Sequence, residues 1–310
     1  MKLIADIGAT NARFAIVKDG KVMRVKVLPC DGYGTLADAV NDYLSGTKVK
    51  AKTGAFAVAT PLDGSDRVTM TNHAWSFSIK KTAKETGLKS LRIINDFAAL
   101  ARAVPDLKKK DRYQVGSGRA EKNMPVGIIG PGTGLGVAAI VFSGGKPVSV
   151  ATEGGHVTMA ATTPREFALF EFLKKTKYSH VSAERVVSGK GLVNIYHAIG
   201  GVDGLTLPEK TPAEITETAL KNECRVCSET LDLFCHFLGV AAGNLALSYG
   251  AFGGIYIAGG IVPQLGGYFK NSRFRESFLA KGRFRDYLDR IPTFVVTHPY
   301  PALEGLKNLS

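Results

Sequence analysis

The sequence predicts an α/β protein built from two related domains, and three observations carry that prediction. A unit of strand, glycine turn and strand occurs twice in register. A short apolar strand between the two copies ends in Asn95-Asp96 and leads into a helix. A long uncharged stretch further on reads as a buried helix, a turn and a buried strand. The 310 residues suffice for one large domain or two modest ones, each with a real core. Hydrophobic residues at 45% and charged residues at 22% have the balance of a folded globular chain and argue against a disordered one.

The first copy begins with Leu3-Ile4-Ala5-Asp6-Ile7 as a strand, turns through Gly8-Ala9-Thr10-Asn11 and continues in Phe14-Ala15-Ile16-Val17, with a hairpin signal at Asp19-Gly20. In the second, Val126-Gly127-Ile128-Ile129 runs into Gly130-Pro131-Gly132-Thr133-Gly134-Leu135-Gly136, and Val137 to Phe142 leads out to Gly144-Gly145. Gly8 aligns with Gly132, and Ala15-Ile16-Val17 with Ala139-Ile140-Val141, so the chain reads as built twice from one unit. Glycine lets a backbone approach a phosphate and turn its N–H groups towards it, and the hydroxyls of Thr10 and Thr133 add donors. Neither turn is a Rossmann or Walker loop, because both join strand to strand, and Ser188-Gly189-Lys190-Gly191 completes no Walker motif either. One such turn is common in any β structure. Two in register are a stronger signal.

Leu91-Arg92-Ile93-Ile94-Asn95-Asp96 reads as a strand followed by a helix from Phe97 through Val104. A carboxylate at the carboxyl end of a strand in an open α/β sheet lies where ligands bind, and can take a proton from a hydroxyl. Taken alone, Asn95 or Asp96 is equally a helix cap, and the position between the two glycine turns tips the reading towards a site. Glu153-Gly154-Gly155-His156 and Ser182-Ala183-Glu184-Arg185 add carboxylates and an imidazole of the kind a polyol needs, since sugar hydroxyls are discriminated by matched hydrogen bonds. Singly, His156 also fits a structural histidine and Glu184 an exposed helix residue, and both alternatives stay open. Glu153 and His156 are too isolated for a zinc set. Gly253-Gly254-Ile255-Tyr256-Ile257-Ala258-Gly259-Gly260-Ile261-Val262-Pro263 reads as a core strand entering a tight turn that leaves room for a flat base or ribose.

Several function classes are disfavoured. The N-terminus places Asp6 where a secretory signal needs an apolar core, so the expectation is no export. No Asp, Glu, Lys or Arg falls between Phe237 and Phe269, but Gly243, Gly250, Gly253, Gly254, Gly259, Gly260 and Pro263 break the stretch, against a membrane span. Cys224-x-x-Cys227 followed by Cys235-His236 invites a zinc reading. Helical spacing instead puts Cys224, Cys227, Leu231, Cys235 and Leu238 on one face, where thiols act as small hydrophobes. Four scattered cysteines, with Cys30, suit a reducing cytoplasm. The formal charge of +13 raises nucleic acid as a partner, yet Lys48 to Lys52, Lys108-Lys109-Lys110 and Lys174-Lys175-Lys177 are dispersed runs without a recognition motif. Solvated faces explain them.

These motifs resemble a known group. Asp6-Ile7-Gly8-Ala9-Thr10-Asn11-Ala12-Arg13 resembles the first phosphate motif of the actin, Hsp70 and hexokinase superfamily, Gly132-Thr133-Gly134-Leu135-Gly136 its second, and Ile257-Ala258-Gly259-Gly260 its adenosine motif. Thr71-Asn72-His73-x-Trp75, Ile93-Ile94-Asn95-Asp96-Phe97, Glu153-Gly154-Gly155-His156 and His180-Val181-Ser182-Ala183-Glu184-Arg185 resemble the patterns of the bacterial glucokinase family, in order and over nearly the whole chain. The resemblance implies a ribonuclease H-like, actin/hexokinase-type α/β fold with a cleft between a smaller domain, residues 1–106 plus 298–310, and a larger one, residues 107–297. The crossings near 106 and 298 are then hinge candidates. It implies transfer of phosphoryl from ATP to the 6-hydroxyl of glucose, with Asp96 as general base. Asn95 and Asp96 would hold the sugar, and Glu153, His156 and Glu184 its remaining hydroxyls. Asp6, Gly8, Ala9, Thr10, Asn11, Gly132, Thr133, Gly134, Gly259 and Gly260 would bind the nucleotide, with Asp6 positioning Mg²⁺ through water. Glucose and ATP are the expected partners, with no nucleic acid and no membrane, in a cytoplasmic homodimer.

Two departures stand out: Ala9 replaces a usual glycine, and the tail after Pro301-Ala302-Leu303-Glu304-Gly305 is short. The chain lacks the cysteine-rich zinc motif of the related kinase and repressor family and begins directly on its first strand, which argues against a regulator. The alternatives are a kinase for another hexose or an amino sugar, and a non-catalytic sugar or nucleotide sensor, the latter disfavoured by an intact Asp96.

Overall fold

Strand β1 (Lys2–Ile7) buries Leu3, Ile4, Ala5 and Ile7 completely, so both of its faces are covered. In this computed structural model, which describes residues 1–309, β1 is the centre of a five-stranded sheet. β2 (Asn11–Lys18) and β3 (Lys21–Pro29) fold back antiparallel, turning at Asp19 and Gly20, both with positive φ. Helix α1 (Leu36–Thr47), opened by a Thr35/Asp38 capping box, leads to β4 (Thr53–Val58), parallel to β1. A small ribbon of β5 (Arg67–Thr69) and β6 (Ser76–Ser78) and helix α2 (Ile79–Glu85) precede β7 (Ser90–Asn95) and α3 (Asp96–Ala103). The sheet order is β3-β2-β1-β4-β7. Its alternating side chains feed two clusters: Leu3, Phe14, Tyr43 and Phe56 on one face, Ile4, Ala55, Ala99, Leu303 and Leu306 on the other. Register pairs Ile7 with Val58 and Val58 with Asn95, so three parallel strands end level and release Gly8, Ala59 and Asp96 along one edge.

A second compact unit runs from Lys109 to Thr297, while the first combines Met1–Lys108 with the segment from His298 onward. The second unit opens on β8 (Arg112–Val115), followed by an antiparallel meander of β9 (Val126–Pro131), β10 (Leu135–Ser143) and β11 (Lys146–Thr152). Four helices follow: α4 (Pro164–Thr176), α5 (Gly189–Asp203), α6 (Pro212–Leu220) and α7 (Arg225–Tyr249). β12 (Ile255–Ile257) then pairs parallel with β9, short helices α8 (Ile261–Gln264), α9 (Gly267–Asn271), α10 (Phe274–Leu279) and α11 (Arg285–Asp289) intervene, and β13 (Thr293–Val296) pairs parallel with β12. The order β11-β10-β9-β12-β13-β8 repeats the meander and parallel strands of the first sheet. The duplicated strand and turn unit legible in the sequence is therefore a duplicated sheet.

Helix α7 is long and apolar enough to cross a membrane, but 78% of its most apolar window is buried inside the fold. Cys227, Leu231, Cys235 and Leu238 have no exposure. Gly250, at φ 57°, ends the helix, and β12 follows fully buried, so the apolar face of α7 and the strand after it are core. Among the described residues, no group of three or more His, Cys, Asp or Glu side chains is arranged to hold a metal ion. Across this core Glu166, 1% exposed, accepts from the Thr162 N–H at 2.6 Å and hydroxyl at 2.8 Å, and its other oxygen lies 3.2 Å from His236 Nε2. His236 Nδ1 is 2.8 Å from Ser277 Oγ, which ties α4, α7 and α10 together.

The closing helix, α12 (Pro301–Lys307), is seven residues long and packs on α3 in the first unit. Lys2 Nζ donates to the carbonyls of Leu306, Lys307 and Leu309 at 3.1, 2.7 and 2.7 Å, holding the C-terminal end of α12 against the first strand.

Candidate active site

In the first unit, the turn after β1 is closed by the Gly8 N–H donating to Asn11 O at 3.0 Å, while Thr10 O accepts from the Cys30 N–H at 2.9 Å. A Cβ at Gly8 would stand 3.2 Å from Asn11 O, tighter than ordinary contact. Ala9 has no positive φ, so alanine replaces glycine there without backbone strain. Thr10 is exposed and Asn11 opens β2. Asp6, one residue from the end of β1, has Arg13 Nη1 at 3.5 Å. Burial pushes its carboxyl up, and the Arg13 charge works in the opposite direction.

At the same sheet edge, Asn95 and not Asp96 supplies the cap of α3. Asn95 Oδ1 accepts from the N–H groups of Phe97 at 2.9 Å and Ala98 at 3.1 Å, and Nδ2 donates to Thr60 O at 3.4 Å. The helix consequently begins at Asp96, one residue earlier than the sequence suggested. One Asp96 oxygen accepts from the Phe97 N–H at 2.9 Å, which orients the carboxylate. Thr60 also bonds Thr71 at 2.8 Å, joining the Thr71-Asn72-His73-x-Trp75 motif to this edge. His73 lies 3.3 Å from Asp31, and the Trp75 indole N–H donates to Tyr33 O at 3.1 Å.

In the second unit, the Gly132 N–H donates to Gly134 O at 2.8 Å, and Gly132 O accepts from the Gly189 N–H at 2.8 Å. That bond seats the N-terminus of α5, capped by Ser188, against the glycine turn. Glu184 Oε2 accepts from the Leu135 N–H at 2.9 Å. Gly155 lies so close to Leu135 O that no Cβ would fit, and this packs the turn carrying Glu153 and His156 onto the start of β10. Both those side chains are exposed, with His156 Nε2 3.9 Å from Glu153. The strand-like segment after them is stitched to the Glu184 motif by Met159 N–H to Val181 O at 3.0 Å and Ala183 N–H to Val157 O at 2.9 Å. The structure thus gathers Glu153, His156, Glu184 and the Gly132–Gly136 turn around Leu135.

Gly259, at φ 81°, sits against Pro131 O with no room for a Cβ, which brings the Gly259-Gly260 turn to the end of β9. A cavity of about 750 Å³ opens beside these turns, a size suited to a nucleotide. Gly132 and Thr133 line it on one side, Gly189 and Lys190 on another, Pro212, Ala213 and Thr216 of α6 form a flank that continues into the charged Glu217 and Lys221, and Ile261 and Gln264 of α8 also border it. Sequence reading missed Lys190 and the α6 flank. The only signals for them were the Ser188-Gly189 and Thr211-Pro212 helix starts, which do not say what a helix faces.

A duplicated sheet whose copies each carry a glycine turn between antiparallel strands, with a cavity of about 750 Å³ beside the second turn, is the architecture of the actin/hexokinase-type sugar kinases. The chain belongs to the glucokinase family, whose description, Glucokinase, matches residues 3–310. It is 47% identical over 313 aligned residues to a glucokinase of Paramagnetospirillum magneticum, covering 100% of this chain and 97% of that protein. It is 46% identical to a glucokinase of Aromatoleum aromaticum, covering 98% and 92%. A crystal structure of glucokinase from an Antarctic psychrotroph superposes with a TM-score of 0.86 at 37% identity, covering 98% of this chain and 97% of that one.

Proposed function

We propose that this chain phosphorylates glucose at its 6-hydroxyl with ATP as donor, Asp96 serving as general base. The observation that carries the reading, alongside family membership, is the cavity shared by the Gly132-Thr133 turn and by Ile261 and Gln264, which follow the Gly259-Gly260 turn. Phosphoryl transfer asks a protein for positioning and charge stabilisation more than for covalent participation. The backbone of Gly132, Thr133 and Gly134, the N-terminal end of the 15-residue helix α5 and the Lys190 ammonium supply positive potential where phosphates would lie. The flank of α6 and the Gly259-Gly260 turn suit a base and ribose. Gly8, Ala9, Thr10 and Asn11 would meet the phosphates from the first unit. Asp6 fits a magnesium site, because a carboxylate destabilised by burial gains from a nearby cation. It would hold Mg²⁺ through water, and the ion when bound would neutralise phosphate charge.

On the sugar side, Asn95 ends β7 and Asp96 follows it, at the edge where β1 also ends, and Glu153, His156 and Glu184 are the hydroxyl partners. The Phe97 N–H holds one Asp96 oxygen and so aims the carboxylate that takes the 6-hydroxyl proton as the oxygen attacks. Asp96 and Gly132 belong to different units, with crossings at Lys108–Lys109 and Thr297–His298. We therefore include in the proposal that sugar binding draws the two smaller and larger domains onto one glucose and ATP pair, which also keeps water from competing as acceptor. A cytoplasmic homodimer is part of the same proposal. A coupled assay across a hexose and amino-sugar panel with several phosphoryl donors tests the reading: glucose with ATP should give the highest kcat/KM. A protein that preferred an amino sugar would overturn the acceptor, and one that bound both substrates yet transferred nothing with any divalent cation would be a sensor.

A further inference from the structure

The Cys224-Arg225-Val226-Cys227 segment stands apart from the proposed kinase chemistry, and its geometry is not that of packing alone. Cys224 is the N-cap of α7, in extended backbone at φ −145° and ψ 119°, and Cys227 lies in the first helical turn. Three residues of helix rise about 4.5 Å, inside the span of Cα separations a disulfide bridges. Cys224 and Cys227 therefore stand three residues apart across the start of one helix. Their exposure is unequal. Cys224 is partly open at the end of the exposed Lys221-Asn222-Glu223 turn, whereas Cys227 has no exposure. Cys30 and Cys235 are both fully buried, and Cys30 donates to a backbone carbonyl, Gly8 O, at 3.5 Å.

We propose that Cys224 and Cys227 form a redox-active dithiol that reacts with small disulfides, Cys224 as the attacking sulfur and Cys227 as the resolving one. The Cys224 thiolate attacks one sulfur of the small disulfide, forming a mixed disulfide and expelling one small thiolate. Cys227, losing its proton to solvent, then attacks Cys224 Sγ and expels the second small thiolate. The protein gives up two electrons and two protons and holds a Cys224–Cys227 disulfide, while the small disulfide is reduced to two thiols.

The electrostatics order the two sulfurs in the same way. Partial burial opposes ionisation of Cys224, but the Cys227 N–H, the Cys227 thiol, the Val226 N–H and the Lys210 charge outweigh it and hold Cys224 below the ordinary thiol value of 9.0. Burial, with the hydrogen bond to Cys224, pushes Cys227 up to about 11. At pH 7 Cys224 therefore carries the larger thiolate fraction. Its partial exposure, against the full burial of Cys227, favours the same order of attack.

The test incubates the reduced full-length chain with oxidised glutathione at pH 7, quenches with acid, alkylates and maps all four cysteines by mass spectrometry. The expected product is a Cys224–Cys227 disulfide, with Cys30 and Cys235 recovered alkylated. Cys227→Ser should stop at a glutathione adduct on Cys224 formed as fast as the wild type reacts, and Cys224→Ser should be modified at Cys227 at least ~10-fold more slowly. Modification of Cys30 or Cys235 as early as Cys224, absence of the internal disulfide in wild type, or equal rates in Cys224→Ser and Cys227→Ser would overturn the proposal. The wild-type map decides it even if a variant does not fold, and none of these readouts depends on kinase activity.

Discussion

Replacing Gly132 by valine separates the nucleotide site from the fold, because the surroundings of this glycine are unlike those of its neighbour. A Cβ built on Gly132 meets nothing within 4 Å, and the residue lines the cavity, whereas a Cβ on Gly134 would lie 2.5 Å from Glu184 Oε2. Gly132 carries no positive φ that a side chain would strain. The valine side chain therefore projects into the cavity without displacing protein atoms. If phosphate oxygens occupy that space, they are pushed from the N–H and hydroxyl donors of Thr133. A hydrogen bond to a charged acceptor contributes about 1.5–3 kcal/mol, so loss of one should weaken nucleotide binding by ~10- to 150-fold. Stability should shift by no more than ~0.5 kcal/mol, as at an unencumbered surface position. Isothermal titration with a non-hydrolysable ATP analogue, glucose titration and a melting curve give the three readouts. Unchanged nucleotide affinity in a folded Gly132→Val protein would mean that the phosphates lie elsewhere; a variant that instead unfolded would refute the reading of Gly132 as unencumbered.

Asp96→Asn keeps an acceptor for the Phe97 N–H and leaves the Asn95 cap in place, so kcat should fall ~10²- to 10⁴-fold with glucose affinity within about an order of magnitude and little change in melting temperature; retained turnover in steady-state kinetics would remove Asp96 as the base. Glu184→Ala strips the Leu135 N–H of its acceptor, at a cost of about 1–3 kcal/mol, and should raise the KM for glucose much more than that for ATP, with Glu184→Gln recovering most of the loss; an equal rise in both constants would detach Glu184 from the sugar. Acid should destabilise the protein in two stages through the Glu166–His236 pair. Burial, outweighing the nearby Glu166 and helped by Arg273 against Asp232 and Glu276, lowers the His236 pKa below 6.5. The unfolded chain then binds the extra proton first, and stability present above pH 6.5 is lost as pH falls below it. Glu166, although burial raises its pKa, is held below 4.5 by the Thr162 N–H and hydroxyl, with the His236 charge and the Thr163 hydroxyl adding to them, so its contribution goes as pH drops further through the folded value. Melting temperatures from pH 8 down to about pH 2 check both stages, and a flat profile between pH 7 and pH 5 would count against His236.

Much of this architecture was legible because local signals coincide with it. Apolar runs punctuated by glycine, Asp19-Gly20 and Gly144-Gly145 mark the two meanders, and helical spacing of Cys227, Leu231, Cys235 and Leu238 marks the buried face of α7. Boundaries shifted where side chains compete for backbone groups: Asn95 took the cap, so α3 opens on Asp96. What stayed illegible are contacts between segments distant in the chain. Nothing near Ser188-Gly189-Lys190 announces that the Gly189 N–H will bond Gly132 O, and nothing in Pro212-Ala213-Thr216 shows that this face of α6 borders the same cavity. Both facts follow from how the helices pack on the second sheet. Tertiary placement decided them.

The same dependence on distant contacts explains why Glu184 admitted two readings in the sequence. It lies in a short 3₁₀ turn, where a carboxylate has no local partner that would reveal its role, and its acceptor oxygen is spent on Leu135, the first residue after Gly134. Gly155 closes on the carbonyl of that same Leu135 from the other side. One residue therefore receives the carboxylate at its N–H and the Glu153–His156 turn at its C=O, immediately after the turn proposed to hold phosphate. The Glu184 hydrogen bond and the close packing of Gly155 thus both bear on the residue that ends the Gly132–Gly134 turn. On the proposed mechanism, that shared anchoring keeps the sugar partners and the transferring phosphate in register within the second unit, leaving the base on α3 as the component that must be brought to them.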